Sequence, residues 1–294
     1  MLNLSPSAPR LVTPRLVTTY CSGYWPVPGN QKRSFEHYAN YLPQTLQMLA
    51  GARLWFYSSD ADVLRQVSEL SSNLDLELTT VLLEISQLPA WEIAADFVAS
   101  CERMRLDLYG RPARRMKEKG VSHYWRDLVG SGPEAYRHVL AIWLSKVELT
   151  AALAERLEPG CTVAWVDASL SRKNHTRPCW EFHRCALPAG QLSHYPSQAR
   201  IYGSTLPLSA GFLAADAPTW DRIRASFVAA RASLVAMPYG HDEETILSMC
   251  LRNQPELFHC LQDEATPPAR RSGLRRSVGL LKRVRSLARR LSLR

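Results

Sequence analysis

The segment 161–169 constrains the fold more than any other part of the chain. It reads Cys-Thr-Val-Ala-Trp-Val-Asp-Ala-Ser, an apolar run that ends on an acid and two small residues. Such a run, introduced by Pro159-Gly160, is typical of a buried strand in a parallel sheet. In open α/β sheets ligands bind beyond the carboxyl ends of the strands, where Asp167 is expected to lie. A carboxylate there is suited to a hard cation such as Mg²⁺ or Mn²⁺, although Asp also commonly caps the turn after a strand.

Strand and helix patterns alternate ahead of this segment. Predicted strands cover residues 15–20 and 53–57, and a third strand is expected within residues 76–85. One helix is expected between the first two strands, because its apolar side chains recur at helical spacing: Phe35, Tyr38, Leu42, Leu46 and Leu49. Another is expected from about residue 61 to 70. This β-α-β-α-β order predicts an α/β fold with a Rossmann-like, mostly parallel sheet flanked by helices.

The remainder of the chain continues the α/β pattern. Helices are expected within residues 89–157, including a long one at 136–157, and also at 218–235 and 242–252. A further strand is predicted at 206–214, whereas 171–202 carries no clear pattern. The predicted organisation is a flexible arm at 1–14, one domain at 15–265 and a separate tail at 266–294, with Pro267-Pro268 near the boundary.

The positive charge of the chain is concentrated in the tail. The formal net charge is +9, and ten of the 36 basic residues fall in 269–294, which contains no acid. The remaining 26 basic residues are nearly balanced by 27 acidic ones. A near-neutral main domain argues against a broad nucleic-acid-binding face, so no nucleic-acid partner is expected.

The tail has the pattern of an amphipathic basic helix. Apolar residues recur every three or four positions with Arg and Lys between them: Leu274, Val278, Leu281, Val284, Ala288 and Leu291. This pattern favours docking on an anionic membrane surface over nucleic-acid contact or a solvated tail. No apolar run approaches the ~20 residues that cross a bilayer, and the first ten residues lack a secretory pattern. We therefore expect a cytoplasmic protein that is peripheral to the inner membrane.

Charged residues follow the predicted strands in a way that indicates a binding site. Lys32 and Arg33 follow the first strand, Asp60 follows the second, and Asp167 ends the apolar run within 161–169. Because carboxyl ends of parallel strands share one edge of a sheet, these residues are expected to converge. Cations beside acids suit a nucleoside diphosphate with a bridging metal ion. Surface charge and turn formation are the simpler interpretations of each residue alone.

Two other clusters contain residue types that can act in catalysis or bind a metal. Asp242 and Glu243 begin a helix after a glycine, where acids often act as caps, and either could serve as a general base if this turn lines the cleft. Four other residues are of metal-binding type: His175, Cys179, His183 and Cys185. Their spacing matches no common zinc pattern, so an incidental loop is favoured over a zinc site. The chain has no GxSxG, Walker A or GxGxxG motif.

Several segments together resemble a known family. The sharpest is Trp143-Leu144-Ser145-Lys146 followed by residues 163–168 and Arg172, which resembles the bacterial HtrL/YibB-like proteins, themselves similar to glycosyltransferases of the GT-A fold. Weaker similarity at 33–38, 56–57, 209–212 and 242–258 extends the resemblance over roughly residues 15–260.

The resemblance implies a transferase that uses a nucleoside-diphosphate sugar and a glycan or lipid-linked glycan acceptor. Asp167 and Ser169 would take the place of the acidic motif that holds Mn²⁺ or Mg²⁺, with Ser169 replacing its second carboxylate. The alternative is that Lys32, Arg33 and Lys146 neutralise the donor instead. The donor-binding residues implied are Lys32, Arg33, Asp60, Lys146, Arg172, Ser209 and Gly211. The alternative from another class is a non-catalytic scaffold with the same fold.

Overall fold

Alternating strands and helices open the described part of the protein. The computed structural model describes residues 18–30, 34–104, 128–173, 187–197, 199–201, 204–235 and 242–261. The first elements are β1 (Thr18–Gly23), α1 (Phe35–Ala39), α2 (Leu42–Met48), β2 (Arg53–Ser58), α3 (Ala61–Ser71) and β3 (Glu77–Leu82). The prediction of one helix between β1 and β2 is wrong. Pro43 lies in the first turn of α2, where its missing N–H costs nothing, whereas inside a continuous helix it would remove a hydrogen bond.

The later elements follow the same α/β pattern. They are α4 (Trp91–Met104), α5 (Val129–Ser131), α6 (Pro133–Ala154), β4 (Thr162–Val166), a 3₁₀ turn (Leu170–Lys173), β5 (Leu192–Tyr195), β6 (Arg200–Ile201), β7 (Ser204–Thr205), β8 (Ser209–Asp216), α7 (Ala217–Leu234), α8 (Glu243–Asn253) and β9 (Phe258–Cys260). The strand predicted at 206–214 is β8, which begins three residues later than predicted because Pro207 precedes it. β5 and β9 escaped prediction, since strands of four and three residues give little periodicity.

One large sheet organises the described residues. Its seven strands lie in the order β3-β2-β1-β4-β8-β5-β9, and β6 with β7 forms a separate pair. Every neighbouring pair in the large sheet is parallel except the two pairs that involve β8. The prediction of a mostly parallel α/β sheet is therefore confirmed. The chain passes from β1 outward to β3 and then returns to place β4 on the other side of β1, which creates the kind of switch point where α/β proteins bind ligands.

β4 is buried on both faces, which explains its continuous apolar sequence. Val163 and Trp165 belong to a core cluster that includes residues of α4, α6, α7 and α8. Ala164 and Val166 belong to a second cluster that includes residues of α2 and α3. The sheet is thus covered by helices on both sides, and the end of β4 lies at the centre of the fold.

Helix α6 crosses the core next to β4 and carries polar groups into it. Sixteen of its 22 residues are buried, among them Ser145, Lys146 and Thr150. Ser145 Oγ accepts a hydrogen bond from Ala90 N–H at 3.1 Å. A buried lysine in such a helix requires a partner of opposite charge, because an unpaired buried cation is very costly.

Several sequence predictions fall on residues outside the described ranges. These are the arm at 1–14, Lys32, Arg33, the four residues His175, Cys179, His183 and Cys185, and the tail. The described residues belong to one unit of the chain, Met1–Leu261, and the second unit, Gln262–Arg294, lies outside them. Within the described part, no helix combines the length and the apolar character that a membrane span requires.

Candidate active site

Asp167 follows β4 directly and is held in place from three directions. Its N–H donates a hydrogen bond to the carbonyl oxygen of Gly211 at 2.9 Å, which extends the β4–β8 pairing by one residue. Its Oδ1 accepts hydrogen bonds from Trp165 Nε1 at 2.9 Å and from Lys146 Nζ at 2.8 Å. The carboxylate is therefore fixed beyond the carboxyl end of β4, as predicted from the sequence pattern.

Lys146 bridges two carboxylates that come from distant parts of the chain. Its Nζ lies 2.8 Å from Asp167 Oδ1 and 2.7 Å from Glu243 Oε1. The side chains of Lys146 and Glu243 are each only 6% exposed, against 19% for Asp167. The Lys146 bridge thus links α6, the end of β4 and the start of α8, and each buried charge has an opposite charge beside it.

The charges of the bridge shift the pKa values of its members. Burial alone would raise the pKa of the Asp167 carboxyl, but the cations of Lys146 and Arg172 outweigh burial and hold that pKa well below its usual range. Burial alone would lower the pKa of Lys146, but the carboxylates of Asp167 and Glu243 raise it above its usual value. Both groups are therefore charged at neutral pH.

A second lysine, Lys173, also lies close to Asp167. Lys173 ends the 3₁₀ turn, and its Nζ donates a hydrogen bond to Ser209 Oγ at 2.8 Å. A Cβ on Gly211 would lie 3.0 Å from that Nζ and 3.2 Å from Leu170 Cδ1. The glycine therefore leaves the space that the ammonium of Lys173 uses, and this structure brings Ser209 and Gly211 together around a cation.

Glu244 completes the charged group. Its Oε1 accepts a hydrogen bond from Ala210 N–H at 3.1 Å, which joins the start of α8 to the start of β8. Burial lowers the pKa of Lys173, and the charges of Glu244 and Asp167 oppose that shift without reversing it. We call the six charged residues around the end of β4 the charged cluster: Lys146, Asp167, Arg172, Lys173, Glu243 and Glu244.

The 3₁₀ turn that carries two of these cations is anchored to α2. Ser171 Oγ donates a hydrogen bond to the carbonyl oxygen of Tyr41 at 2.7 Å, and Ser171 N–H donates one to Thr45 Oγ1 at 3.1 Å. Arg172 is exposed beside this anchor. Its charge acts on Asp167, so the turn presents Arg172 and Lys173 at the switch point between β1 and β4.

Two predicted site residues act as helix caps. Asp60 Oδ1 accepts hydrogen bonds from the backbone N–H groups of Asp62 and Val63, so this acid begins α3. Asp242 begins α8: its Oδ1 accepts from Thr245 N–H at 3.1 Å and its Oδ2 from Thr245 Oγ1 at 3.0 Å. With 1% exposure, Asp242 lies beneath the surface of the site. Both caps match the simpler interpretation of acids at such positions.

The described residues do not form a ready-made site for a divalent ion. Among them, no three His, Cys, Asp or Glu side chains lie close enough together to hold one. Oδ1 of Asp167 already accepts two hydrogen bonds, and Ser169, the proposed second ligand, is only 3% exposed. The surrounding side chains include three cations, whereas hard divalent ions are held by oxygen ligands.

Sequence reasoning missed three contributors to the site. Lys173 and Glu244 each adjoin a predicted residue, but nothing in their sequence context separates them from surface charges. Trp165 was predicted only as part of the buried strand, although residues two apart in a strand share a face, so this spacing could have indicated its hydrogen bond to Asp167.

No protein-family model matches the chain, and no curated protein sequence matches it either. The fold and the charged cluster therefore carry the functional inference.

Proposed function

We propose that this protein is a glycosyltransferase that moves a sugar from a nucleoside-diphosphate donor to a bacterial surface glycan of the polysaccharide, O-antigen or capsule type. The observation that carries the proposal is the charged cluster at the switch point of a mostly parallel sheet. Ligands of such sheets bind at that point, and the cations there suit the diphosphate of a nucleotide sugar.

The architecture supports a GT-A-like fold. Four neighbouring parallel strands, β3-β2-β1-β4, form a nucleotide-binding type of half-sheet, and the reversed strand β8 places Ser209 and Gly211 beside the acid that ends β4. This arrangement agrees with the resemblance to HtrL/YibB-like proteins and GT-A glycosyltransferases that the Lys146–Arg172 region carries.

Within this proposal the cations divide into two sets. Lys173 and Arg172 bind the diphosphate, together with Lys32 and Arg33, which follow β1 in the sequence. Lys146 is buried between two carboxylates, so it orients Asp167 and Glu243 and does not contact the donor. Ser209 and Gly211 support the donor site by holding Lys173, and Asp60 shapes its edge by starting α3.

A general base is needed if transfer inverts the configuration of the sugar. Asp242 and Glu243 are the proposed candidates, and the geometry favours Glu243, because the Lys146 bridge fixes its carboxylate within the charged cluster whereas Asp242 caps α8. A base of this kind typically contributes 10²–10⁴-fold to the rate, as a rough range.

The acceptor and location follow from the sequence. A glycan or lipid-linked glycan at the inner membrane would be reached by a cytoplasmic enzyme whose tail, 269–294, binds an anionic membrane surface peripherally. A Mn²⁺ or Mg²⁺ ion is implied by the resemblance, but the described residues do not fit it, because Oδ1 of Asp167 already accepts hydrogen bonds from Trp165 and Lys146.

A non-catalytic scaffold with this fold is the second candidate. It is favoured by one observation: the two acids proposed as bases both take part in structural contacts, Asp242 as a cap and Glu243 in the Lys146 bridge. A scaffold would dock at the membrane without turning over a donor.

A thermal-shift screen of nucleotide sugars tests the proposal. We expect one class of donor to raise the melting temperature of the wild-type protein, and the Lys173→Met variant to lose that shift. Arg231→Met is the matched control, because Arg231 pairs with Glu148 in a comparably buried ion pair away from the charged cluster. Loss of the shift in both variants, or no shift with any nucleotide sugar, would contradict a donor site at the charged cluster.

A further inference from the structure

We propose that the ammonium of Lys146 stands where a divalent cation would bind, and that the protein binds nucleoside diphosphates without a metal ion. This inference rests on the proposed function and specifies how the donor's charge is met. The inference depends on a buried cation that is shared by two carboxylates, which a metal-binding acidic motif would not contain.

The geometry gives the first argument. A single nitrogen lies within hydrogen-bonding distance of Asp167 Oδ1 and of Glu243 Oε1, at 2.8 and 2.7 Å. Two carboxylates from different segments therefore face a common point, which is how proteins arrange oxygen ligands around a hard cation. Here that point is occupied by a side chain of the protein, and the Trp165 indole N–H donates a second hydrogen bond to the same Oδ1.

The charge balance gives the second argument. Within the charged cluster, three cations already stand beside three carboxylates, and the buried carboxylate of Asp242 lies next to Glu243. A divalent ion beside Asp167 would add two positive charges next to Lys146, Lys173 and Arg172 in a poorly solvated site, where repulsion is strong. Displacing Lys146 instead would leave a buried ammonium without a partner, which is also unfavourable.

The remaining cations then have a defined role. Lys173 and Arg172 lie on the 3₁₀ turn, which Ser171 anchors to α2 at the switch point. Beside the interactions that they already make, these two cations can donate charge-assisted hydrogen bonds to a diphosphate. If Lys146 neutralises the two carboxylates and Lys173 with Arg172 binds the diphosphate, a nucleoside diphosphate binds without a metal ion.

Calorimetric titration of the wild-type protein with UDP, GDP, CDP and dTDP tests the inference, with EDTA in one series and Mn²⁺ in the other. We expect one nucleotide to bind with a dissociation constant that differs less than about twofold between the series, since an ion that adds no contact shifts no equilibrium. Binding that requires Mn²⁺, or tightens about tenfold or more with it, overturns the inference and leaves the proposed function standing. Absence of binding in both series overturns both.

A variant provides an independent readout. In Lys146→Met the two carboxylates lose their shared cation, so we expect Mn²⁺ to raise the melting temperature of this variant and to leave the wild type unchanged. Arg231→Met, which removes a cation from the Glu148 pair, should show no Mn²⁺ shift. A Mn²⁺ shift in the wild type, or none in a folded Lys146→Met variant, contradicts the inference. If Lys146→Met does not fold, the wild-type titration and wild-type Mn²⁺ shift decide it.

Discussion

At the scale of single residues, the site depends on ionised groups placed inside the protein. Asp167 is a charged acid at a mostly buried position, and it is tolerated there because Lys146 and the Trp165 indole both donate to the same oxygen. Buried charges of this kind bring little net stability, but removal of one partner leaves the other uncompensated. The arrangement therefore fixes positions more than it adds stability.

Acid should weaken the protein partly through Asp167. Its folded-state pKa lies below the unfolded value of about 3.9, so its contribution to the free energy of unfolding is fully present above that value. The contribution is lost as the pH falls from about 4 through the folded pKa. The raised pKa of Lys146 has the opposite sign, because its contribution is lost only at strongly alkaline pH.

Urea unfolding of the wild type and of Asp167→Asn between pH 7 and pH 2 measures this effect. We expect the wild type to be the more stable at pH 7 and the difference between the two proteins to shrink below about pH 4. A difference in stability that stays constant across the acid range would mean that the neighbouring cations do not lower the pKa of Asp167.

At the scale of elements, local patterns predicted β2, β3, β4, α3 and the start of α8 because each has a clear period or cap. The continuous apolar run of β4 indicated burial on both faces, and Asp242 indicated a helix start. The partners of the site were not predictable, because Lys146 and Glu243 meet across 97 positions of sequence. That contact depends on how α6 and α8 pack beside the sheet, which no local pattern encodes.

The cap of α8 separates two roles of Asp242. Asn caps helices about as well as Asp, whereas Ala costs typically ~1 kcal/mol and up to about 2. We therefore expect Asp242→Asn to unfold in urea nearly like the wild type, and Asp242→Ala to lose about 1–2 kcal/mol. If Asp242→Asn keeps its stability but loses donor turnover, Asp242 is the general base; if it keeps both, the residue is a cap alone.

At the scale of the whole molecule, the sequence divides charge between a near-neutral domain and a basic tail, with ten cations in residues 269–294. Each Lys or Arg near an anionic surface contributes about 1 kcal/mol, and burial of the apolar stripe adds a term that salt does not screen. These two forces together predict peripheral membrane binding.

Removal of residues 269–294 should release the protein from anionic vesicles and leave nucleotide binding in solution unchanged. Sedimentation with anionic and neutral vesicles across a salt series measures this by comparing the full chain with the truncated chain. Partial retention of binding at high salt is expected, since apolar burial persists while the ionic attraction is screened. Equal binding to both vesicle types, or none to either, would contradict membrane docking by the tail.

The central claim is that the charged cluster at the end of β4 supports transfer from a nucleotide sugar. It is tested most directly by release of nucleoside diphosphate from the donor identified in the thermal-shift screen, with water as the slow acceptor, for the wild type and Asp167→Asn. The account predicts that the wild type releases the nucleotide and that Asp167→Asn, still folded by circular dichroism, does so at least ~10²-fold more slowly, as expected when a positioned charged group is lost from an active site. A folded Asp167→Asn variant with wild-type turnover, or a wild type that binds the donor without releasing the nucleotide, would contradict it.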